Sequence, residues 1–208
     1  MSEEPPAPRI TAVSGSGVPI RGNDIDTDQI LPARFMKVVT FEGLGQFAFY
    51  DQRVESEGTH PLEDDRFRDA SIMAVNKNFG SGSSREHAPQ ALMRWGIDGL
   101  IGESFAEIFR GNCLSLGLPT VTADHETVSA IQDWIEENPA GEIEIDVEAA
   151  TVTYGGETID VGIDESQQRA LTAGTWDTTA VMRANFEGVR ERAKRLPYIE
   201  EGEIPEAR

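Results

Sequence analysis

The apolar and polar positions of the chain follow two different periods, and each period predicts one type of element. Three short, mainly apolar runs have the pattern of strands that are covered on both faces; they lie at 70–75, 97–102 and 116–121. Apolar residues spaced three or four positions apart predict helices; these occupy 88–95, 104–112 and 123–138. Strands that alternate with helices in this way predict an α/β fold.

Residues with capping preferences mark the expected ends of these helices. Gly96 suits the C-terminal end of the first helix, Ser104 the N-cap of the second and Asp124 the N-cap of the third. Before this unit, residues 10–20 are expected to form a strand, a Gly/Ser turn and a second extended piece.

The C-terminal part of the chain has a different pattern. Residues 142–161 alternate with period two around Gly155 and Gly156, which predicts antiparallel strands joined by a hairpin turn. Helical spacing returns at 164–174 and 179–196. We therefore expect an α/β domain with an antiparallel part on its C-terminal side.

The chain shows neither an internal repeat nor a linker long enough to divide it. We expect one domain over 1–208, with flexible tails at about 1–9 and 199–208. The N-terminus is acidic and proline-rich without an apolar segment, and no run of about 18 apolar residues occurs, so neither a signal peptide nor a membrane helix is predicted. A cytoplasmic protein is the expectation.

The segment NFGSGSSREH, residues 78–87, follows the first predicted strand and precedes a helix. It lacks the lysine of a P-loop, the third glycine of a dinucleotide fingerprint and the G-x-S-x-G phase of a hydrolase elbow. Glycines beside a cation at a helix start still indicate an anion site. Gly80 and Gly82 permit positive φ, and Arg85 offers a planar fork that suits a carboxylate.

Two serines lie between Gly82 and Arg85 in this segment. Ser83 and Ser84 place hydroxyls near a positive charge, which favours a serine alkoxide that acts as a base. From spacing alone a structural interpretation is equally good: Ser84 would be an N-cap and Arg85 would form an ion pair with Glu86.

Three carboxylates alternate with other residues at Asp24, Asp26 and Asp28. The glycine and the closing glutamate of a calcium-binding EF-hand loop are missing, so calcium binding is not expected. The alternation predicts that the aspartates lie on one side of the segment and that Ile25 and Thr27 lie on the other.

Composition excludes several functional classes. The formal charge of −19 argues against nucleic-acid binding, which needs a basic surface. Only three of the 18 basic residues are lysines, which fits adaptation to high salt or a high-GC genome equally well. With the single cysteine Cys113 and three histidines far apart, the chain is expected to hold neither an iron–sulfur cluster nor a zinc ion by itself.

Several of these segments together resemble one family. NFGSGSSREHAPQAL, ESFAEIFRGN and LGLP are similar to the small subunits of 3-isopropylmalate dehydratase in the aconitase superfamily, as are NDIDTDQILPARFMK and TFEGLGQFAFYDQR near the N-terminus. The similarity runs in order from about 18 to 121 and more loosely over 174–193. It implies a swivelling β/β/α domain that resembles the C-terminal domain of aconitase.

In this family a partner chain completes the enzyme. The resemblance implies a large subunit that carries a [4Fe–4S] cluster, in a heterodimer or heterotetramer with the small subunit. It implies a small dicarboxylic hydroxy acid as substrate, with dehydration and rehydration of isopropylmalate in leucine biosynthesis. The lack of cluster ligands in this chain, found above from the cysteine count, agrees with that division.

The resemblance also implies roles for individual residues. Ser83 would be the catalytic base, and Ser84 and Arg85 would bind a substrate carboxylate. Thr27 and Asp28 fall on the family's D-T-D motif and would approach the substrate, although a structural turn explains them nearly as well. Glu86 and His87 would support Arg85 and the loop.

Phe35, Met36, Lys37 and Val38 fall where the family has its substrate-specificity loop. Apolar residues there would suit an isopropyl group, and core packing of Phe35 and Met36 is the alternative. Lys37 also leaves related hydro-lyases open: homoaconitase, citraconate hydratase or dimethylmalate dehydratase. A binding module without catalysis is a further class, against which Ser83 and Arg85 both argue. The segment 35–53 is expected to be a mobile lid.

Overall fold

The computed structural model describes residues 5–37, 40–83 and 85–196. The strands are β1 Ala12–Ile20, β2 Ile72–Val75, β3 Gly99–Gly102, β4 Thr120–Thr122, β5 Glu142–Asp146, β6 Thr151–Tyr154 and β7 Glu157–Asp160. The α-helices are α1 Thr27–Ile30, α2 Tyr50–Glu55, α3 His87–Trp95, α4 Glu107–Ser115, α5 His125–Glu137, α6 Glu165–Ala173, α7 Thr178–Ala184 and α8 Phe186–Ala193. Short 3₁₀ helices span Ala33–Lys37, Leu44–Phe47, Pro61–Glu63 and Asp65–Phe67. Val38, Ser84 and the predicted tail 199–208 lie outside the described residues.

The strands form one mixed sheet in the order β4-β3-β2-β1-β5-β6-β7. The first four are parallel, and β5, β6 and β7 are antiparallel to their neighbours. β1 joins the two parts: residues 17–20 pair with β2, and residues 12–16 pair with β5. The prediction of an α/β fold with an antiparallel part on the C-terminal side is therefore confirmed.

The burial of side chains differs between the parallel and the antiparallel strands. All four residues of β2 and of β3 are buried, whereas β5 buries only alternate residues, Ile143 and Ile145, before its end. Helix α5 covers the sheet with the predicted apolar stripe of Val128, Ile131 and Ile135, each fully buried. Its predicted N-cap is also confirmed, because the Asp124 carboxylate accepts from the backbone N–H of Thr127.

The prediction of a turn within residues 10–20 is wrong, because β1 is one continuous strand. Its glycines are needed for close packing instead of for a turn. A Cβ on Gly15 would lie 2.0 Å from the Ser71 hydroxyl, and one on Gly17 would lie 2.6 Å from the Ile135 side chain. Glycine in a strand often marks such a close approach.

Two other predicted helix boundaries differ from the structure. Ser104 is not an N-cap, since α4 begins after Ala106 and the Ser104 hydroxyl accepts from the backbone N–H of Asn78 at 2.8 Å. The helix predicted at 179–196 is interrupted at Asn185, which separates α7 from α8. The predicted stop at Gly96 is confirmed.

The N-terminal segment is attached to the fold from Ala7 onwards. Ala7 is buried, and its N–H donates to the carbonyl of Gly174 at 2.9 Å. The indole of Trp176 donates to the carbonyl of Pro8, also at 2.9 Å. None of the helices in the described part of the chain is long and apolar enough to cross a membrane.

The parallel strands determine where the candidate site lies. β1, β2 and β3 end at the same edge of the sheet, so the segments that follow them meet there: 21–30, 76–83 with 85–86, and 103–106. The loop after β2 bonds to the segment after β3 through Phe79, whose N–H donates to the carbonyl of Ser104 at 3.0 Å.

Candidate functional site

The segment after β1 turns into helix α1 through a capping box. The Asp26 carboxylate accepts from the backbone N–H of Gln29, and the Gln29 side chain accepts from the backbone N–H of Asp26, both at 2.8 Å. This reciprocal pair satisfies donors that the start of a helix otherwise leaves free. Ile25 and Thr27 are buried and Asp28 is exposed, as the alternation predicts.

The loop after β2 lies alongside this segment and is bonded to it at three backbone positions. The N–H of Asp24 donates to the carbonyl of Lys77 at 2.9 Å, and the N–H of Gly80 to the carbonyl of Ile25 at 2.8 Å. The N–H of Thr27 donates to the carbonyl of Ser81 at 2.8 Å. Two motifs that are distant in the sequence therefore form one unit.

The two loop glycines have the positive φ that the sequence predicts, +76° at Gly80 and +92° at Gly82. Gly80 lies directly on Phe109, where a Cβ would be 2.1 Å from the ring carbon Cγ. Asn78 also has positive φ, +56°, and its side-chain amide donates to the Asp24 carboxylate at 2.8 Å. Sequence reasoning missed Asn78, although asparagine tolerates this conformation better than most residues.

Arg85 and Asp28 form an ion pair across the two segments. The Arg85 side chain is 25 % exposed and that of Asp28 is 52 % exposed, so the pair lies at the surface of the site. The Glu86 carboxylate accepts instead from the Gln90 side chain at 3.1 Å, so an Arg85–Glu86 pair is not what the geometry shows. Ser83, two residues before Arg85 in the chain, is exposed.

The predicted specificity segment is held by aromatic contacts beside helix α3. Phe35 stacks on Phe47 with ring centroids 4.2 Å apart, and Phe41 contacts the ring of His87 edge-on at 5.3 Å. Met36 is partly buried and Lys37 is exposed. Phe41, which lies three residues beyond Val38, thus makes the aromatic contact with α3, at the residue that follows Arg85 and Glu86.

A polar network at the same edge of the sheet was not predicted. Asn76 donates to the Glu103 carboxylate at 2.8 Å, and His125 Nδ1 lies 2.9 Å from the same oxygen. Burial raises the pKa of Glu103, but these hydrogen bonds outweigh it and bring the pKa below its ordinary value. The bond to Glu103 in turn raises the pKa of His125. The sequence signal for this network is the position of Glu103, a carboxylate directly after an apolar strand.

The chain's own residues do not fit an iron–sulfur cluster. Cluster ligation needs several thiolates, and Cys113 is the single cysteine. It is fully buried, and burial raises the pKa of its thiol well above the usual value, which favours the protonated form. In 5–37, 40–83 and 85–196, no group of three or more His, Cys, Asp or Glu residues is arranged to hold a metal ion.

The sequence pattern of the aconitase C-terminal domain matches residues 7–126, more than half of the chain and the part that contains both site motifs. The protein therefore belongs to the aconitase C-terminal domain family. Similar proteins with curated names narrow the assignment from this domain family to one enzyme subunit. It is 49 % identical over 193 residues to a 3-isopropylmalate dehydratase small subunit of Thermus thermophilus, covering 91 % of this chain and 96 % of the relative.

A second relative and a solved structure agree. The 3-isopropylmalate dehydratase small subunit of Synechocystis is 44 % identical over 191 residues, which cover 92 % of this chain and 96 % of the relative. These identities place the chain among the 3-isopropylmalate dehydratase small subunits, as the sequence motifs predict. The crystal structure of a 3-isopropylmalate dehydratase from Methanocaldococcus jannaschii has the same fold, with a TM-score of 0.64 at 22 % identity over 86 % of this chain and 99 % of that one.

Proposed function

We propose that this chain, together with a large subunit that carries a [4Fe–4S] cluster, interconverts 2-isopropylmalate and 3-isopropylmalate through 2-isopropylmaleate in leucine biosynthesis. The names of the relatives supply the substrate. One observation carries the proposal. The segment after β1, which contains Thr27 and Asp28, is hydrogen-bonded to the loop after β2, which contains Ser83, at one edge of the sheet. A cytoplasmic location and assembly as a heterodimer or heterotetramer belong to the same proposal.

In this proposal Ser83 performs the proton transfer. Its alkoxide oxygen takes the proton from the substrate carbon next to a carboxylate. The electron pair left on that carbon forms the double bond as hydroxide departs from the adjacent carbon, and the cluster of the large subunit would supply the Lewis acid for that departure. Ser83 then returns its proton to the carbon that lost hydroxide, and hydroxide adds to the carbon that lost the proton, which gives the other isomer. The exposure of Ser83 makes its side chain accessible to a substrate.

Arg85 binds one carboxylate of the hydroxy acid. Its guanidinium already holds a carboxylate, that of Asp28, and both side chains are partly exposed. A substrate carboxylate can therefore share or replace this contact without desolvating a buried charge. Asp28 keeps the cation in place before the substrate arrives. Binding by Ser84 is proposed from the sequence motif alone.

Glu86 and His87 are proposed to support the start of α3 through the contacts described above, with Gln90 and Phe41 respectively. Among the specificity residues, Phe35 presents one ring face to Phe47, so it supports the segment through packing. Met36 and Val38 are the proposed apolar contacts of the isopropyl group.

Lys37 favours a second candidate function. Its exposed ammonium can bind a further carboxylate, as a tricarboxylic substrate of homoaconitase type requires. Citraconate hydratase and dimethylmalate dehydratase remain alternatives of the same reaction class.

The test is anaerobic reconstitution with the cluster-bearing large subunit from the same genome. Ultraviolet absorbance of the unsaturated intermediate is followed with isopropylmalate, homocitrate, citramalate and dimethylmalate offered in parallel. We expect turnover of isopropylmalate, loss of turnover in Ser83→Ala, and activity in the matched loop variant Ser81→Ala. Turnover of homocitrate instead would transfer the function to the second candidate, and undiminished activity of Ser83→Ala would refute the assigned base.

A further inference from the structure

Thr27 joins the two segments of the site through contacts that do not suit a substrate ligand. It is only 2 % exposed. Its hydroxyl donates to the carbonyl of Ser83, with 3.1 Å between Oγ1 and O, and its backbone N–H donates to the carbonyl of Ser81 at 2.8 Å. A buried hydroxyl that is already bonded to the chain is not free to bind a substrate from solution.

The two bonds lie on either side of Gly82, the most adaptable residue of the loop. Gly82 is exposed and has φ of +92°, a conformation that glycine enters and leaves easily. A Cβ at Gly82 would lie 3.5 Å from the Thr27 hydroxyl, so the loop backbone passes in contact with Thr27. Bonding both flanking carbonyls removes the freedom that Gly82 would otherwise give to Ser83.

Thr27 is itself held firmly. It is the first residue of α1, directly after the N-cap Asp26 and within the capping box that Asp26 forms with Gln29. Its carbonyl also accepts from the backbone N–H of Leu31 at 3.0 Å, and Leu31 is fully buried in the core. The loop is thus hydrogen-bonded to a helix residue whose own position is set by packing of the buried core.

We propose that Thr27 is a positioning residue for the base. By holding the carbonyl of Ser83 it sets the backbone of that residue, and the direction of the Ser83 hydroxyl then depends on a single side-chain torsion. This inference rests on the proposed function, in which Ser83 removes the substrate proton. Arg85 is held separately by Asp28, so substrate binding does not depend on Thr27.

The test compares Thr27→Val with Thr27→Ser in the reconstituted two-subunit enzyme. Valine keeps the branched shape but cannot donate to Ser83, whereas serine keeps the donor and loses only a methyl group. Because a displacement of about 1 Å at a catalytic group can cost 10²-fold, we expect Thr27→Val to lower kcat by about 10- to 100-fold. KM should change less than about threefold, and Thr27→Ser should retain most of kcat.

A matched control removes the same kind of bond far from the site. The Thr172 hydroxyl donates to the carbonyl of Gln168 at 2.8 Å in helix α6. Thr172→Val should leave kcat unchanged. A normal kcat in Thr27→Val, or a loss that Thr172→Val shares, would overturn the inference.

Two further measurements separate this inference from the proposed function. Ser83→Ala is assayed in parallel: if it is inactive while Thr27→Val is fully active, only the positioning role fails. If Ser83→Ala is active, the proposed function fails and the positioning role fails with it. Hydrogen exchange of this chain alone, read from a peptide that spans 78–87, should be faster in Thr27→Val than in wild type. Unchanged exchange there would refute the bond's role even if the variant does not assemble.

Discussion

Substitutions at Gly80 and Gly82 can be compared to measure how tightly the loop after β2 is packed. Both have positive φ, so an alanine at either position is strained in the backbone. They differ in their surroundings. A Cβ on Gly80 would lie 2.1 Å from Phe109 Cγ, whereas a Cβ on Gly82 would meet nothing nearer than 3.5 Å. Gly80→Ala therefore adds a steric clash that Gly82→Ala lacks.

The expected losses of stability follow from the backbone strain and the steric clash. Left-handed backbone costs an L-residue about 1–2 kcal/mol, and this applies to both variants. Overpacking a filled core adds about 1–3 kcal/mol, and this applies only to Gly80→Ala. Phe109 has little room to yield, since it is 2 % exposed and lies edge-on to Phe79 with ring centroids 5.4 Å apart. We expect losses of about 1–2 kcal/mol for Gly82→Ala and about 2–5 kcal/mol for Gly80→Ala.

The assay is equilibrium unfolding in urea at constant salt, followed by circular dichroism. The slope with denaturant should be the same for both variants and wild type, so that differences in midpoint report stability. A Gly80→Ala variant that is no less stable than Gly82→Ala would show that Phe109 does not confine the loop, and the reasoning would be refuted.

Three other perturbations test the site, the pH response and the surface charge. Arg85→Lys should raise KM at least tenfold with a smaller effect on kcat, because an ammonium cannot copy the two-pronged contact of a guanidinium with a carboxylate; steady-state kinetics that show an unchanged KM would contradict the role of Arg85. His60 is buried, and burial, followed by the charge of Arg53, lowers its pKa from 6.5 to about 4. The unfolded chain therefore takes up this proton first, and stability should fall as pH drops from 6.5 to 4, by about 2 kcal/mol after allowance for solvent screening. His60→Asn should lose that pH dependence in urea titrations, and an identical dependence in the variant would exclude His60 as its source. Finally, the charge of −19 should make the melting temperature rise with added KCl, since salt screens self-repulsion; a melting temperature that ignores salt would reject adaptation of the surface to high salt.

Elements whose signals are local were predictable from the sequence. The buried run of β2, the stripe and N-cap of α5, the Gly96 stop and the Gly155–Gly156 hairpin all depend on neighbours within a few residues. The positive φ of the two loop glycines belongs to the same group.

Features that depend on distant residues were not predictable. Gly15 and Gly17 look like a turn in the sequence, because Ser71, Ile135 and Ile143, which require their small size, are far away in the chain. The pairing of Arg85 with Asp28 depends on the parallel alignment of β1 and β2. In the sequence, Glu86 is the nearer carboxylate, and nothing local shows that it turns towards Gln90.

The junction strand β1 also has a consequence for the order in which the protein folds during synthesis. It is made first, yet its parallel partner begins at Ile72 and its antiparallel partner only at Glu142. At the usual ribosomal rate of about 5–20 residues per second, Glu142 follows Ile20 by roughly 6–24 s. Throughout that interval the edge formed by Ala12–Ser16 has no strand to pair with. Its sequence, AVSGS, has small side chains, two serine hydroxyls and a glycine, which makes it a poor template for aggregation before β5 is synthesised.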